Sequence, residues 1–374
     1  MVPPVEERPH MSSPLYKSTK PAQYKVGNIA LVATSLLVCL VILELVASLL
    51  EPESVYRWED RLMFFSGGKV FENFDGGFKY APGQLIGSET YYINADDRSV
   101  LDLEYKYTVR TNNLGLVQTT DSIPGKPAIL VLGDSYVDGQ GASPWFYELE
   151  VAMAESRPDY QVLNGGILSS GIEQFRNLYL HLKDKVPLRK AVIVFISNDW
   201  IRTARQMPTR TLECLADWRV CTGNEDFYGL PVAADARDEQ IRKIMDYRLN
   251  APRSLKDRLR PFALVRFTWN AVSAILHGDQ LARNKVAAAE LVRDFGPDNT
   301  IFLHLPQKDE VLNGISPLGI QVQEYLRSEN FRLVDGFRQC GLEISDFLPN
   351  DGHPAAAGYD KVRTCVEHAI ETIL

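Results

Sequence analysis

Short apolar runs alternate with segments of helical periodicity through the second half of the chain. Runs with the length and composition of strands buried on both faces lie at 128–132, 161–163, 191–196, 300–305 and 331–334. Segments with helical periodicity lie at 144–156, 173–183, 279–294, 318–327 and 354–374. Strands that alternate with helices need crossover connections. The pattern therefore predicts an α/β domain over 126–374, with a parallel sheet between two layers of helices.

Three regions depart from this alternation. Residues 51–125 are rich in glycine and aromatic residues and show no long helical period, so we expect strands and loops packed on the main domain. Residues 200–295 separate the third and fourth strands, and they predict a helical insertion with further helices near 238–247 and 262–276. Residues 1–27 are polar and contain proline and serine, which predicts a disordered tail.

The most apolar segment is 28–50, which contains one formally charged residue, Glu44. At about 1.5 Å of rise per residue, a helix of this length can cross a ~30 Å hydrocarbon core, so we expect one transmembrane signal-anchor helix. Lys17, Lys20 and Lys25 precede it. This charge bias predicts a cytoplasmic N-terminus and an extracytoplasmic chain from residue 51 onward, periplasmic in a Gram-negative cell. A cleaved signal peptide and a buried core helix are the alternatives.

Composition excludes several classes of protein. With 374 residues, 45% hydrophobic and 24% charged, the chain can bury a sizeable core and is not disordered throughout. A mean hydropathy of −0.15 excludes a polytopic membrane protein. The net charge is 40 − 48 = −8, so no basic excess favours a nucleic-acid partner. The sequence also lacks metal-ligand spacing and a glycine-rich phosphate loop, and we therefore expect neither a metal nor a cofactor.

Four of the five cysteines lie beyond the apolar segment, which contains Cys39. An even number of cysteines in an oxidising compartment permits disulfides, and four allow three pairings. We expect Cys214 to pair with Cys221, which closes the shortest loop, and Cys340 to pair with Cys365. Four free thiols are the alternative.

Polar residues with catalytic chemistry follow the predicted strands. Ser135 follows the first strand, Gly166 the second and Asn198 the third, and His353 precedes the last helix. The site of an open parallel sheet lies at the carboxyl ends of its strands. We therefore expect these residues to converge at one edge of the sheet.

The chemistry of acyl transfer suits this set. A serine hydroxyl needs a neighbouring base, for which His353 is the candidate, and Asp351 can orient the imidazole. The N–H groups of Ser135 and Gly166 and the side-chain amide of Asn198 can stabilise an oxyanion. Four further residues are candidates for supporting roles or for the wall of the cleft: Asp134, Asp199, Lys308 and Glu310.

This order of motifs resembles the SGNH, or GDSL, hydrolase superfamily. The blocks that carry the resemblance are Gly133-Asp134-Ser135, Asn164-Gly165-Gly166, Ser197-Asn198-Asp199 and Asp351-Gly352-His353. The similarity to the family covers residues 127–198 and 298–374. The family's usual acid lies three residues before the histidine, where this chain has Asn350. An acid at the position of Asp351 resembles the variant in bacterial exopolysaccharide acetylation proteins of the superfamily.

The resemblance implies a three-layer αβα sandwich with a flavodoxin-like, five-stranded parallel sheet. It also implies a membrane-anchored serine esterase that removes a small acyl group, acetyl foremost, from a substrate that can be a carbohydrate. An O-acetyltransferase acting on an envelope or secreted polysaccharide uses the same acyl-enzyme and is the nearest alternative. A catalytically inactive, carbohydrate-binding member is the alternative from another class.

Overall fold

The computed structural model describes residues 22–50, 60–66, 68–97, 99–142, 144–221, 230–232 and 278–374, together with isolated positions between 239 and 268. Contacts divide the chain into two units, each described by itself: residues 1–52 with 254–270, and residues 53–253 with 271–374. The helices predicted near 238–247 and 262–276 lie largely outside the described residues.

The strands are β1 (Arg61–Ser66), β2 (Phe71–Phe74), β3 (Gly77–Tyr80), β4 (Leu85–Ile93), β5 (Leu101–Arg110), β6 (Ala128–Gly133), β7 (Gln161–Gly166), β8 (Leu188–Phe195), β9 (Leu230–Val232), β10 (Thr300–His304) and β11 (Leu333–Asp335). The α-helices are α1 (Ala22–Leu50), α2 (Ser135–Asp138), α3 (Phe146–Ser156), α4 (Ile172–Leu182), α5 (Thr209–Ala216), α6 (Gly278–Phe295), α7 (Lys308–Asn313), α8 (Pro317–Ser328), α9 (Gly336–Gln339) and α10 (Ala356–Ile373).

The central sheet has the order β11-β10-β8-β6-β7, and every pair in it is parallel. Counted along the chain, this is the order 2-1-3-4-5 of flavodoxin-like sheets. The five-stranded parallel sheet predicted from the alternation of strands and helices is thereby confirmed. The strand order reverses between β6 and β8, which is where such sheets place a site.

Helices cover both faces of this sheet because successive side chains of a strand point to opposite sides. Ile129 and Val131 pack with residues of α3 and α10 on one face. Leu130 and Leu132 pack with residues of α4, α6 and α8 on the other. All four side chains are fully buried. The unbroken apolar sequence of β6 therefore reflects burial on both sides.

Residues 61–110 contain the strands β1 to β5. Of these, β1, β4 and β5 join β9 in a four-stranded sheet of order β5-β4-β1-β9, and β2 pairs with β3. The pairs β1·β4 and β4·β5 are antiparallel, and β1·β9 is parallel. Phe65 of β1 and Tyr107 of β5 belong to the same buried cluster as Leu130 of the central sheet. The four-stranded sheet and the α/β part of the second unit therefore share one core.

Two helices begin later than the sequence predicted. Helix α3 starts at Phe146 rather than at residue 144, and α10 starts at Ala356 rather than at residue 354. Pro354 forms an isolated antiparallel bridge with Phe347, which keeps the backbone extended up to the start of the helix. Two disulfides are present, Cys214–Cys221 and Cys340–Cys365.

In the first unit, side chains of α1 are described for residues 31–47, and Leu264 N–H donates to Glu44 Oε2 at 2.9 Å. Within the part of the chain that the structure describes, no helix has the length and apolar character needed to cross a membrane.

Candidate active site

Ser135 occupies the turn where β6 passes into the short helix α2. Asp134 caps this helix, because its Oδ1 accepts the N–H of Tyr136 at 2.9 Å. Glycine is required at position 133, since a Cβ there would lie 2.2 Å from Val137 Cγ2. The helix ends at Gly139, whose φ of 88° is left-handed and suits glycine. A buried strand and a one-turn helix thus fix the backbone that carries the serine.

His353 and Asp351 lie on a short loop, residues 348–353, which we call the acid–base loop. Its ends are joined by the Phe347–Pro354 bridge and by a hydrogen bond from Leu348 N–H to His353 O at 3.0 Å. Tyr136, next to the serine, donates from its hydroxyl to Gly352 O at 2.8 Å. The loop is therefore held both by its own backbone and by the helix that carries Ser135.

Ser135, His353 and Asp351 form a continuous hydrogen-bonded chain. The Oγ of Ser135 lies 2.8 Å from His353 Nε2, and His353 Nδ1 makes a short contact with Asp351 Oδ1. The exposed fractions are 5%, 6% and 0%, respectively. Burial disfavours ionisation of Asp351, but Arg61, His353 and Tyr92 outweigh it and hold the pKa of that carboxyl well below its usual range. The acid is thus a carboxylate, as a serine–histidine–aspartate triad requires.

Two of the three predicted oxyanion donors are available. Asn198 lies on the 3₁₀ turn Ser197–Ile201 that follows β8, and its side chain is exposed. The N–H of Ser135 stands at the first position of α2. The N–H groups at the start of a helix have no partner within that helix, and they attract negative charge.

The prediction that Gly166 donates to the oxyanion is corrected by the structure. Its N–H already donates to Asn164 Oδ1 at 2.8 Å, and the amide of Asn164 donates to Val137 O at 3.1 Å. A Cβ on Gly166 would lie 2.3 Å from Asp138 N, so this glycine lets β7 approach α2 closely. Its role in this structure is packing. The fully buried side chain of Asn164 ties the two elements together.

Asp134 and Asp199 form a buried carboxylate pair behind the serine. Arg202 Nη1 donates to Asp134 Oδ2 at 2.8 Å and to Asp199 Oδ1 at 2.6 Å. The exposed fractions of the two aspartates are 1% and 0%. Burial raises the pKa of Asp199 well above its usual range, and Asp134 raises it further against the opposite effect of Arg202. This cluster links the ends of β6 and β8.

Lys308 and Glu310 do not line a cleft as predicted; both are buried and satisfied internally. Lys308 Nζ donates to Leu348 O at 2.6 Å and to Pro349 O at 2.7 Å. Glu310 Oε1 accepts the hydroxyls of Ser197 and Ser316, each at 2.6 Å. The sequence could not distinguish these internal contacts from a surface position, since both residues follow a strand end as site residues do.

Behind the turn that carries Asn198, Ser197 Oγ also lies 3.0 Å from His304 Nε2. The second ring nitrogen of His304 contacts Gln323 Nε2 at 3.1 Å. Burial lowers the pKa of His304 to about 3, so its ring is neutral. This histidine lies in β10 and is fully buried, so it is a core residue. Its network supports the turn without reaching Ser135.

Several residues near the site come from sequence that suggested no catalytic role. Tyr92 of β4 and Arg61 of β1 contact Asp351, and Glu104 of β5 contacts Asn350. Their strands are separated from the acid–base loop by most of the chain, and no local pattern marks them. Among the described residues, no group of three or more histidine, cysteine or acidic side chains is arranged to hold a metal ion.

Comparison with known proteins gives structural likeness only. No protein-family model matches the chain. No curated protein matches it either. Similar solved structures include a catalytic mutant of an acetylxylan esterase from Geobacillus stearothermophilus, with 14% identity, a TM-score of 0.34, and 67% of this chain and 96% of that chain covered.

Two further structures are similar at the same level. A lipase/acylhydrolase from Enterococcus faecalis has 12% identity and a TM-score of 0.34, with 66% of this chain and 95% of that chain covered. A member of the lipolytic G-D-S-L family from Veillonella parvula has 13% identity and a TM-score of 0.33, with 66% and 98% covered. The chemistry available to this chain therefore rests on the geometry of its own side chains.

Proposed function

We propose that this chain is a serine ester hydrolase of the SGNH type that removes a small acyl group, acetyl foremost, from its substrate. The observation that carries the proposal is the hydrogen-bonded chain from Ser135 through His353 to the ionised Asp351. The short separation of Ser135 Oγ and His353 Nε2 places a base on the hydroxyl proton, which is what a serine nucleophile needs. The motifs at the ends of β6, β7 and β8 and on the acid–base loop support the SGNH assignment.

The reaction follows from this geometry. His353 Nε2 takes the proton of Ser135 Oγ as the oxygen attacks the ester carbonyl, and the tetrahedral oxyanion is stabilised by Ser135 N–H and the Asn198 amide. The alkoxide leaves as an alcohol with the proton from His353. Water, deprotonated by the same ring, then attacks the acyl-enzyme; the acyl group leaves as a carboxylic acid, and His353 returns the proton to Ser135 Oγ. Asp351 stabilises the imidazolium in both steps.

A fluorophosphonate probe tests the proposal because it reacts covalently with activated serines. Mass spectrometry of the labelled full chain should place the modification on Ser135, and 4-nitrophenyl acetate should be turned over. Ser135→Ala should lose both signals. Ser169→Ala is the matched control, because this serine lies on the loop after β7 and should leave labelling unchanged. A folded wild-type protein with no labelling and no turnover would instead favour the carbohydrate-binding alternative.

The acceptor of the acyl group separates a hydrolase from an O-acetyltransferase. Both enzymes share the acyl-enzyme, so the product formed from it decides between them. The acetylated enzyme should release acetate at a rate that added oligosaccharide leaves unchanged. Acetylated oligosaccharide formed at the expense of acetate would identify the transferase.

We also propose that α1 anchors the chain in a membrane, with residues 51–374 outside the cytoplasm. Large apolar side chains of α1 are exposed, among them Leu31, Leu36, Ile42 and Leu45, and such a surface favours contact with lipid. The lysines before the helix support the orientation. Protease added to intact spheroplasts should digest the large domain, and complete protection of that domain would refute the orientation.

A further inference from the structure

The two carboxylate oxygens of Asp351 face different parts of the molecule. Its Oδ1 contacts His353 Nδ1 and accepts the backbone N–H of His353 at 3.2 Å. Its Oδ2 accepts the hydroxyl of Tyr92 at 3.1 Å and lies 3.5 Å from Arg61 Nε. One oxygen therefore serves the imidazole, and the other is held by the four-stranded sheet.

The residues that hold Oδ2 are themselves fixed. Tyr92 is fully buried, and the side chain of Arg61 is 17% exposed. Arg61 Nη2 donates to Tyr105 Oη at 3.0 Å, and Tyr105 Oη accepts the amide of Gln140 at 2.7 Å. Gln140 follows the helix that carries Ser135. The polar chain thus runs from Asp351 through the four-stranded sheet and back to the segment next to the nucleophile.

The same sheet also holds the residue before the acid. Glu104 of β5 accepts the backbone N–H of Asn350 at 2.7 Å and its side-chain amide at 2.9 Å. The four-stranded sheet therefore contacts the acid–base loop at two successive residues, through three different strands.

We propose that Arg61 and Tyr92 are positioning residues for Asp351, and that the four-stranded sheet is thereby part of the catalytic apparatus. This inference rests on the proposed ester hydrolysis. A carboxylate bound at one oxygen alone can rotate about χ2 and swing away from the ring. The hydroxyl of Tyr92 donates to Oδ2, fixes that rotation and leaves Oδ1 on His353 Nδ1, while the charge of Arg61, whose Nε lies 3.5 Å from Oδ2, keeps the acid ionised.

Removal of the Tyr92 hydroxyl or of the Arg61 charge should affect catalysis more than substrate binding. Hydrogen bonds to a charged group are strong enough that the loss of one corresponds to about a 10- to 100-fold change in an equilibrium or rate. We expect Tyr92→Phe and Arg61→Met to lower kcat by about 10-fold or more with little change in KM, since neither side chain contacts the acyl group in the proposed reaction.

The dependence of rate on pH gives a readout that a purely structural role would not move. A positive charge beside the hydrogen-bonded Asp351–His353 pair opposes its protonation, so the acidic limb of kcat/KM should move to higher pH in Arg61→Met. Arg61→Lys retains the charge and should keep the limb near its wild-type position. The other charged and titratable groups around Asp351 and His353 are Tyr92, Glu104, Tyr105, Lys308 and Tyr136.

Matched controls come from the same fold. Tyr91→Phe removes a hydroxyl from the neighbouring residue of β4, where it donates to Glu89 Oε2 at 2.7 Å instead of to the triad. Arg176→Met removes an arginine that pairs with Glu290. Both controls should keep the wild-type kcat and pH profile.

The experiment measures 4-nitrophenyl acetate turnover from pH 5 to 9 with the full chain in detergent, together with the NMR resonance of the His353 Nδ1 proton. Loss of turnover confined to Tyr92→Phe and Arg61→Met, with an altered proton resonance, supports the proposal. Wild-type kinetics in both variants, or equal losses in Tyr91→Phe, would overturn it.

If the wild type lacks Ser135-dependent turnover, the proposed function fails. The proton resonance then still decides the positioning: an altered signal supports it, and an unchanged signal overturns it.

Discussion

The Oγ of Ser135 lies 2.8 Å from Nε2 of His353, although 218 positions of sequence separate the two residues. The carboxyl end of β6 presents the serine, and the acid–base loop before α10 presents the histidine. Each is held by backbone hydrogen bonds and by burial. The pair is therefore formed before any substrate binds, and no rearrangement is needed to activate the hydroxyl.

This geometry predicts that the triad acts as one unit. Ser135→Ala and His353→Ala should each reduce turnover of an acetyl ester to a low residual rate, and the double variant should be hardly slower than either single variant. Steady-state kinetics of the three proteins checks this. Losses that multiply in the double variant would show that the residues act independently. Asp351→Asn should cost less than Ser135→Ala, because the base remains although its orientation is poorer.

Asn198 should matter for the rate and not for stability. Its side chain is exposed on the turn after β8, so Asn198→Ala removes no buried contact. Loss of one oxyanion donor lowers kcat by about 10²–10³-fold in acyl-transfer enzymes, and we expect a similar loss here. The thermal midpoint, measured in parallel, should stay close to that of the wild type. An unchanged kcat would remove Asn198 from the oxyanion site.

Arg202→Met should destabilise the protein because it leaves the buried carboxylates of Asp134 and Asp199 without their shared cation. We expect a loss of about 2–4 kcal/mol in the free energy of unfolding. The loss should be larger at pH 8 than at pH 5, since the folded protein must then hold more negative charge. Urea denaturation at both values tests this. In Arg219→Met the exposed pair with Asp217 is lost, and the change should be close to zero.

Asp138, at the end of α2, should lower stability at neutral pH. It is fully buried, and burial raises its pKa to about 8 from an ordinary value of 3.8. Between these values the folded protein holds a proton that the unfolded chain has released. Its contribution to the free energy of unfolding therefore falls by up to about 1.4 kcal/mol per pH unit. The Asp138→Asn variant has no carboxyl at this position, so its free energy of unfolding lacks this pH-dependent contribution.

The stability of Asp138→Asn relative to wild type should accordingly rise from pH 5 to pH 8. Chemical denaturation at several values of pH measures this difference directly, because other titrating groups are common to both proteins. A constant difference between the two proteins would show that Asp138 is ionised in the folded state.

The local sequence pattern by itself determined the strands of the central sheet, most of the candidate site residues and the cysteine pairs. The apolar runs predicted the five parallel strands, because a strand buried on both faces is predominantly apolar. The residues after those strands identified Ser135 and Asn198 as candidates, since the carboxyl ends of parallel strands lie at one edge, and the segment before the last helix identified Asp351 and His353. The cysteine spacing favoured the two pairs that the structure contains. Each of these inferences rests on neighbours within a few residues or on a general rule of topology.

Tertiary structure alone decided the remaining contacts. Gly166 was predicted to donate to an oxyanion, yet its N–H is occupied by Asn164, a choice set by how closely β7 approaches α2. Lys308 follows a strand end but is buried against the backbone of the acid–base loop. Arg61 and Tyr92 lie in strands with no catalytic signature and reach Asp351 only because the four-stranded sheet packs beside that loop. Periodicity in sequence reports which face of an element is buried, whereas the partner of a buried polar group depends on how the elements pack, and for Asp351 one partner, Tyr92, lies 259 positions away.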